Sequence, residues 1–381
     1  MLRTLNDAVK FFEDTMAARP ERDAMAALEA AWRGERPRYP AFSINYRIDP
    51  SDKSDSEPLF TIPERNFKDD AEGQLAECII NSLAVLDTHN SVSRCLVLEG
   101  SRSPADLVPS FGIPLDDSGG APAYTLSLEE ALKLPAPEPK TAGLMPIFRK
   151  SAARLRELAP PSFKIGVPDM QGPYNLAHAM IGNDAFTGPY TDPEQYHQFM
   201  SRITDFWIEA RKLLVQWIGK DRLPINASVP RIAECSVNMV SEEFYKEYIL
   251  PYDLRISREF GSVLIHPCSG EHVFKATFEN LPVAATEAGM MIAQMASPVV
   301  SVNRAIEIVG TRPAVISVGQ ELPAAREEAF KILAEDIETT LSNPRVHLNS
   351  YTGLFWRKKD RPMIRELHLE LDRLWEKRRY A

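Results

Sequence analysis

The chain has few of the features that mark several protein classes. Its 381 residues include only four cysteines, Cys78, Cys95, Cys235 and Cys268, with no close paired spacing. They are too few for a disulfide framework in a chain of this length, so we expect a reducing, cytoplasmic setting. No apolar run approaches the 18 residues of a membrane span. The first twenty residues contain acidic side chains, which fit neither a signal peptide nor a transit peptide.

An excess of positive charge is also lacking. The net charge of -9 argues against a nucleic-acid backbone or an anionic membrane as the main partner. No glycine-rich dinucleotide motif or phosphate-binding loop follows a predicted strand, which weakens nucleotide-binding alternatives. Hydrophobic residues make up 44% and charged residues 25%, as in ordinary soluble globular proteins.

Apolar runs alternate with segments of helical periodicity over most of the chain. The predicted strands span 39–48, 95–98, 163–167, 229–233, 263–265, 283–286, 314–318 and 346–348. Long helices are predicted over 71–86, 145–158, 193–218 and 242–260. Strands that alternate with helices pair in parallel through right-handed crossovers, and about eight of them suit a closed (β/α)8 barrel. We therefore predict a TIM-type α/β barrel over residues 38–381, preceded by an N-terminal helical extension over 1–37.

Polar side chains follow six of these strands, at the point where each strand ends. They are Asp169 and Gln171, Glu234 and Cys235, His266 and Cys268, Glu287, Gln320, and Asn349. In a (β/α)8 barrel the chemistry lies at the carboxyl ends of the strands. The sequence therefore predicts that these groups meet on one rim.

His266 and Cys268 are the most specific pair. They follow an apolar strand two residues apart, so their side chains would point the same way. Two soft ligands on one face form half of a zinc site. The alternative is a buried cysteine that packs as a small hydrophobic residue beside a histidine held by a backbone partner.

Three carboxylates are candidates for acid–base catalysis: Glu234, Glu287 and Asp169. Glu287 could equally bind a metal or pair with Arg304 or Arg312. Gln171 lies in a bend before a helix whose amino terminus would favour an anion, or it belongs to an ordinary capped helix start.

The other predicted substrate-binding residues are Gln320, Asn349 and Tyr46. Gln320 and Asn349 follow strands directly, which places both on the predicted rim. Tyr46 could line a pocket for a flat organic substrate, or it could pack in the core. His178 lies inside a predicted helix and is expected to be a packing or surface residue.

Four stretches of the chain resemble the uroporphyrinogen decarboxylase-like superfamily, and more closely its methyltransferase branch. They are residues 22–28 with 36–40, residues 169–177 with 192–194, residues 240–244 with 249–252, and the His266–Gly270 stretch, which reads H-P-C-S-G. Their order and spacing cover most of the chain from residue 22. The resemblance implies a distorted (β/α)8 barrel.

Signatures of the decarboxylases in that superfamily are absent. Their arginine-rich motif would fall at residues 43–48, where this chain has S-I-N-Y-R-I with one arginine. Their G-H-G motif would fall at residues 348–353, which read L-N-S-Y-T-G. Decarboxylation of a tetrapyrrole is therefore not expected.

The methyltransferase branch implies zinc bound through H-x-C and a later cysteine, with a corrinoid on a partner protein as methyl carrier. His266 and Cys268 match H-x-C, whereas His347, Asn349, Ser350 and Tyr351 stand where the later cysteine is expected. Glu234, Cys235 or Glu287 could supply the missing ligands.

We thus expect a zinc-dependent methyltransferase acting on a small methylated compound or a corrinoid. The alternatives are a metal-free lyase or decarboxylase acting on a small carboxylated substrate, and a non-catalytic cofactor-binding protein. The apolar stripe of the first predicted helix, Leu5, Val9, Phe12 and Met16, could pack on the barrel or on a second subunit, so the oligomeric state is open.

Overall fold

A computed structural model of the chain describes residues 4–46, 70–101, 105–117, 120–266, 270–288, 300–353 and 355–379. It divides into two compact units. The first unit comprises Met1–Cys95 and Glu287–Ala381, and the second comprises Leu96–Thr286. The N-terminal helices belong to the first unit, and a separate extension over residues 1–37 stays a prediction.

Helices and strands alternate along the described residues. The helices are α1 (Leu5–Ala18), α2 (Ala24–Arg33), α3 (Ala71–Leu86), α4 (Leu128–Lys133), α5 (Met145–Leu158), α6 (Pro173–Ile181), α7 (Asp184–Thr191), α8 (Pro193–Ile218), α9 (Glu242–Phe244), α10 (Leu250–Phe260), α11 (Gly270–Asn280), α12 (Val302–Val309), α13 (Arg326–Ser342) and α14 (Arg361–Arg379). The strands are β1 (Ser43–Tyr46), β2 (Cys95–Leu96), β3 (Lys164–Ile165), β4 (Arg231–Ala233), β5 (Val263–His266), β6 (Val283–Ala288), β7 (Val315–Val318), β8 (Glu321–Leu322), β9 (Val346–Leu348) and β10 (Ser350–Gly353).

Each of the eight predicted strands corresponds to an observed one, and the described ladders with a printed register are parallel. The two-residue β8 and the polar β10 were not predicted, because neither has an apolar run. Helices α3, α5 and α8 have the predicted bounds, since each combines a long apolar stripe with a clear start and end.

The described strands of the first unit form two parallel groups. In one group, β10 lies between β1 and β8 and pairs with both. In the other group, β7 pairs with β9. Helix α1 contacts α3 and buries Ala8, Phe12 and Met16. The apolar stripe of the first helix therefore packs within its own chain, which was one of the two possibilities left open by its sequence.

A side chain is hydrogen-bonded to the backbone of β1. The backbone N–H of Ile44 donates to Oδ1 of Asn90 at 2.7 Å, and Nδ2 of Asn90 donates to the Ile44 carbonyl at 2.9 Å. Nε2 of His368 also contacts Oδ1 of Asn90, and the imidazole stacks on Phe42 with ring centroids 4.8 Å apart. Asn90 thereby occupies the hydrogen-bonding positions that a neighbouring strand would fill.

The second unit contains the parallel ladder in which β5 pairs with β4 and with β6. Its longest helix, α8, buries eleven residues, Trp207 and Tyr196 among them. One uninterrupted helix was predicted from residue 242 to 260, but a π-helical turn, Tyr245–Ile249, separates α9 from α10. There the Leu250 N–H bonds to the Tyr245 carbonyl, directly before Pro251, which has no N–H to continue the α-helical ladder.

Among the described helices, none is long and apolar enough to cross a membrane.

Candidate functional site

Two polar clusters occur at strand ends, one in each unit. The first, here called the α6 network, comprises Asp169, Gln171, Asn175, His178, Arg231 and Ser236 of the second unit. Gln171 follows β3 in the left-handed conformation, with φ of 51°. Its backbone N–H and its Nε2 donate to the two oxygens of Asp169, at 3.2 and 2.9 Å. Nη1 of Arg231 is 3.2 Å from Oδ1 of Asp169, so this carboxylate is held from two sides.

The network continues along the first turns of α6. Nδ2 of Asn175 donates to Oε1 of Gln171, and Oδ1 of Asn175 accepts the backbone N–H of Ser236 at 2.7 Å. Nδ1 of His178 lies 2.8 Å from Oγ of Ser236. Burial lowers the pKa of His178 below its usual value, which favours the neutral imidazole at neutral pH.

Sequence reasoning had given Asn175 and Ser236 no role and had treated His178 as a packing or surface residue. The structure instead joins these three side chains to the predicted residues Asp169 and Gln171. The position of Ser236 just beyond a predicted strand end was the one available signal. The positions of Asn175 and His178 in the sequence did not predict these contacts, because the contacts depend on the direction in which α6 extends from the preceding loop.

Glu234 is adjacent to the α6 network and is only 4% exposed. Its Oε1 accepts the backbone N–H of Tyr174 at 3.0 Å, and its Oε2 accepts that of Asn175 at 2.8 Å. The carboxylate therefore caps the amino terminus of α6, where a negative charge is favourable. Burial, followed by the nearby Asp253, raises the pKa of Glu234 well above its usual value. Its predicted roles in catalysis and metal binding stay predictions, and the observed contacts are those of a helix cap.

A second buried carboxylate, Asp253, accompanies Glu234. It accepts a hydrogen bond from the Tyr245 hydroxyl at 3.0 Å, while its Oδ1 has no hydrogen-bond partner. Burial raises the pKa of Asp253 to about 7. Tyr245 is the first residue of the π-helical turn, so the irregular turn and the two acids form one buried unit. The sequence carried no signal for it, because Asp253 lies in an ordinary amphipathic helix.

His266 is the last residue of β5 and is half-buried, and its Cα pairs in register with that of Ala233. Glu234 and Cys235 therefore follow directly on the adjacent strand, as predicted. Cys235 is disulfide-bonded, and Cys78 and Cys95 carry free thiols. Cys268 lies outside the described residues.

These observations bear on the predicted zinc. Within the described ranges, no three His, Cys, Asp or Glu side chains form a group that could hold a metal ion. The oxygens of Glu234 already accept backbone hydrogens, and a disulfide sulfur is not a thiolate ligand. The described residues as they stand do not fit a zinc ion.

The second cluster lines a cavity of about 230 Å³ in the first unit, here called the β10 cavity. Its lining residues share hydrogen-bonding side chains, apart from one glycine: Glu287, Ser317, Gly319, Gln320, Glu321, Asn349, Ser350 and Thr352. The structure thus brings together three predicted site residues, Glu287, Gln320 and Asn349. Tyr46 is not among the lining residues; it is half-buried at the end of β1 and pairs with Gly353.

Backbone contacts fix the walls of the β10 cavity. The Gly319 N–H donates to the Ala288 carbonyl at 3.0 Å, and the Thr352 N–H donates to the Gln320 carbonyl at 3.0 Å. A Cβ atom at Gly319 would lie 2.8 Å from the Ser350 carbonyl oxygen, so the close approach of β7 to β10 requires glycine there. These backbone contacts hold the lining side chains of the β10 cavity in a defined arrangement.

His347 lies next to this cavity in the strand ladder. It pairs in register with the lining residue Ser317 and is 4% exposed. Burial lowers the pKa of His347 to about 4, so its imidazole is uncharged at neutral pH. It contributes a buried neutral ring to the strand that carries Asn349.

The chain is similar to known proteins in sequence and in structure. The model of the uroporphyrinogen decarboxylase (URO-D) family matches residues 111–340. A methyltransferase from Methanosarcina mazei has a similar structure, with a TM-score of 0.58 and 15% sequence identity over 93% of this chain and 99% of that chain. No curated protein sequence matches the chain. The predicted TIM-type α/β barrel is thereby confirmed, and the chain belongs to the URO-D family.

Proposed function

We propose that the chain is a methyltransferase of the URO-D family, which moves a methyl group between a small methylated compound or a corrinoid and an acceptor. One observation carries the proposal: His266 ends β5 in register with Ala233, the residue that directly precedes Glu234 and Cys235. This is the position at which the methyltransferase branch carries its H-x-C. The structural likeness to a methyltransferase supports the same choice over other activities on this fold.

The charges of the α6 network agree with this choice. A multiply carboxylated tetrapyrrole needs several cationic anchors, and the network contains one guanidinium, that of Arg231. Arg231 is already paired with Asp169 at 3.2 Å. A small or uncharged substrate is therefore a better match to the network than a polyanion.

Zinc and a corrinoid partner protein remain part of the proposal as expectations from the resemblance. His266 and Cys268 are the ligands we propose for the metal. Because Cys235 is disulfide-bonded, metal content is best measured on protein treated with a phosphine reductant and on untreated protein. Zinc at about one ion per chain in the reduced sample would support the site.

The activity is tested with methylcobalamin as methyl donor and 2-mercaptoethanol as acceptor, following the loss of the cobalt–methyl absorbance. We expect the reduced protein to accelerate demethylation, and we expect His266→Ala to abolish the acceleration. His272→Ala is the matched control, because His272 lies on α11 and its Nε2 is 2.9 Å from the Val240 carbonyl oxygen. Equal rates for the wild type and His266→Ala would contradict the proposal.

A metal-free lyase is the second candidate, and one observation favours it. Glu287 and Glu321 line the same small cavity together with amide and hydroxyl groups, an arrangement suited to acid–base work on a small polar substrate. Turnover of a small carboxylic acid that survives a chelator and is lost in Glu287→Gln would support the lyase. Ligand binding without turnover of either substrate class would instead indicate a binding protein.

A further inference from the structure

The β10 cavity has a buried acid behind one of its walls. Asp336, in the middle of α13, is 6% exposed. Its Oδ2 accepts two hydrogen bonds, from Nε2 of Gln320 at 2.7 Å and from the hydroxyl of Tyr351 at 2.9 Å. Gln320 lines the β10 cavity, whereas Tyr351 is fully buried in β10. A single carboxylate oxygen therefore connects a cavity residue to the core.

This contact determines which way the Gln320 carboxamide is turned. A carboxylate oxygen only accepts hydrogen bonds, so the group that faces it must be the amide nitrogen. The opposite orientation would bring the amide oxygen against the carboxylate oxygen. The carbonyl oxygen of Gln320 then remains as the acceptor that this side chain can offer to a ligand.

The backbone holds Gln320 in place for this role. Its carbonyl accepts the N–H of Thr352 at 3.0 Å, and the preceding Gly319 donates to Ala288 at 3.0 Å. With the main chain bound on both sides, the freedom left to Gln320 is that of its side-chain torsions. The bond to Asp336 restrains these torsions.

We propose that Asp336 is a positioning residue that fixes the Gln320 carboxamide with its oxygen available to the β10 cavity, so that the cavity selects small ligands that donate a hydrogen bond from O–H or N–H. The inference rests on the proposed function only in taking the ligand of this cavity to be the substrate. The orientation of the amide can be measured without any turnover.

The first test is NMR of the full chain labelled with ¹⁵N-glutamine, in which the Gln320 side-chain signal is identified by its loss in Gln320→Met. We expect one amide proton of Gln320 to be shifted downfield and slowed in solvent exchange in the wild type. Asp336→Leu, which has no acceptor, should remove both effects. Tyr351→Phe is the matched control: it removes the other bond to the same oxygen and should leave the Gln320 signal in place.

The second test compares two small probes, methylammonium, which only donates hydrogen bonds, and dimethyl sulfoxide, which only accepts them. We expect the ratio of their affinities to shift by about fivefold towards dimethyl sulfoxide in Asp336→Leu, because the freed amide can present its nitrogen. Glu335→Gln, which removes a neighbouring charge on α13 and spares the contact, should leave the ratio unchanged. If Asp336→Leu does not fold, Gln320→Leu serves instead and should also lose the preference for the donor.

The outcomes separate the two proposals. An unchanged amide signal in Asp336→Leu, or an unchanged probe ratio in both Asp336→Leu and Gln320→Leu, would overturn the positioning role whatever the enzyme does. A shifted signal and ratio in a protein that shows no methyl transfer would support the positioning role and count against the proposed function alone.

Discussion

Gly172 lies directly against the carboxylate of Glu234: a Cβ atom on Gly172 would stand 2.1 Å from Oε1. The backbone of Gly172 is extended, with φ of -90°, so glycine is needed here for space and not for conformation. We expect Gly172→Ala to lower the free energy of unfolding by about 1–3 kcal/mol, the usual cost of overpacking.

Urea unfolding of a double-mutant cycle with Glu234→Ala checks this expectation. Removing the carboxylate makes room for the methyl group, so Gly172→Ala should cost less in that background. The same cost in both backgrounds would mean that the glycine is required for another reason.

The buried pair Asp253 and Glu234 should make stability depend on pH. The pKa of Asp253 is raised to about 7 in the folded chain, from an ordinary value of 3.8. Between these values the folded state keeps a proton that the unfolded state has released, so stability falls as pH rises through this range. Asp253→Asn removes this contribution, and its stability relative to the wild type should improve steadily from pH 4 to pH 7. If the free energies of unfolding of the wild type and of Asp253→Asn, measured in urea, changed equally with pH, the raised pKa of Asp253 would be contradicted.

His347 should act in the opposite direction. Burial lowers its pKa from 6.5 to about 4, so between these values the unfolded state binds a proton that the folded state does not. The stabilisation is present above pH 6.5 and is lost as pH falls towards 4, by about 3 kcal/mol in full. We expect His347→Gln to show a weaker loss of stability than the wild type over this interval. The measurement is urea unfolding at pH 7, 6, 5 and 4. The control is His197→Gln, because His197 is exposed on α8 in the second unit.

Gln171 combines a left-handed backbone with four hydrogen bonds, two of them made by its side chain, and two substitutions can separate the effects of backbone and side chain. Gln171→Ala and Gln171→Gly both lose the side-chain bonds to Asp169 and Asn175. Only the glycine accepts a φ of 51° without strain. We expect Gln171→Gly to be more stable than Gln171→Ala by about 1 kcal/mol, measured by thermal and urea unfolding. The reverse order would show that the loop relaxes away from this conformation when the side-chain bonds are absent.

Periodicity was sufficient for the larger elements of the fold. The stripes of α3, α5 and α8 and the apolar runs of β4 to β7 are local signals, and each corresponds to an observed element. The π-helical turn at Tyr245 and the short strand β8 have no such periodic signal. The first lies directly before Pro251, whose missing N–H interrupts a helix without specifying a π turn, and the second depends on the pairing of Glu321 with Thr352.

The sequence predicted site residues where those residues directly follow a strand. Glu287, Gln320 and Asn349 were expected on one rim and do line one cavity, because the carboxyl ends of parallel strands meet at the same edge. The contacts of Glu234 could not be read in this way. Its side chain turns towards the start of α6, and the direction in which a carboxylate points depends on which backbone donors the fold leaves unsatisfied.

The pairing of Asn90 with Ile44 has a consequence for the stability of the interior. Ile44 is fully buried and Asn90 is 2% exposed, so water cannot replace the hydrogen bonds between them. One side-chain amide satisfies both main-chain groups of Ile44, and the buried His368 contacts the same amide. Asn90→Leu would leave an N–H and a C=O inside the protein without their partner, and each such group costs about 1–3 kcal/mol.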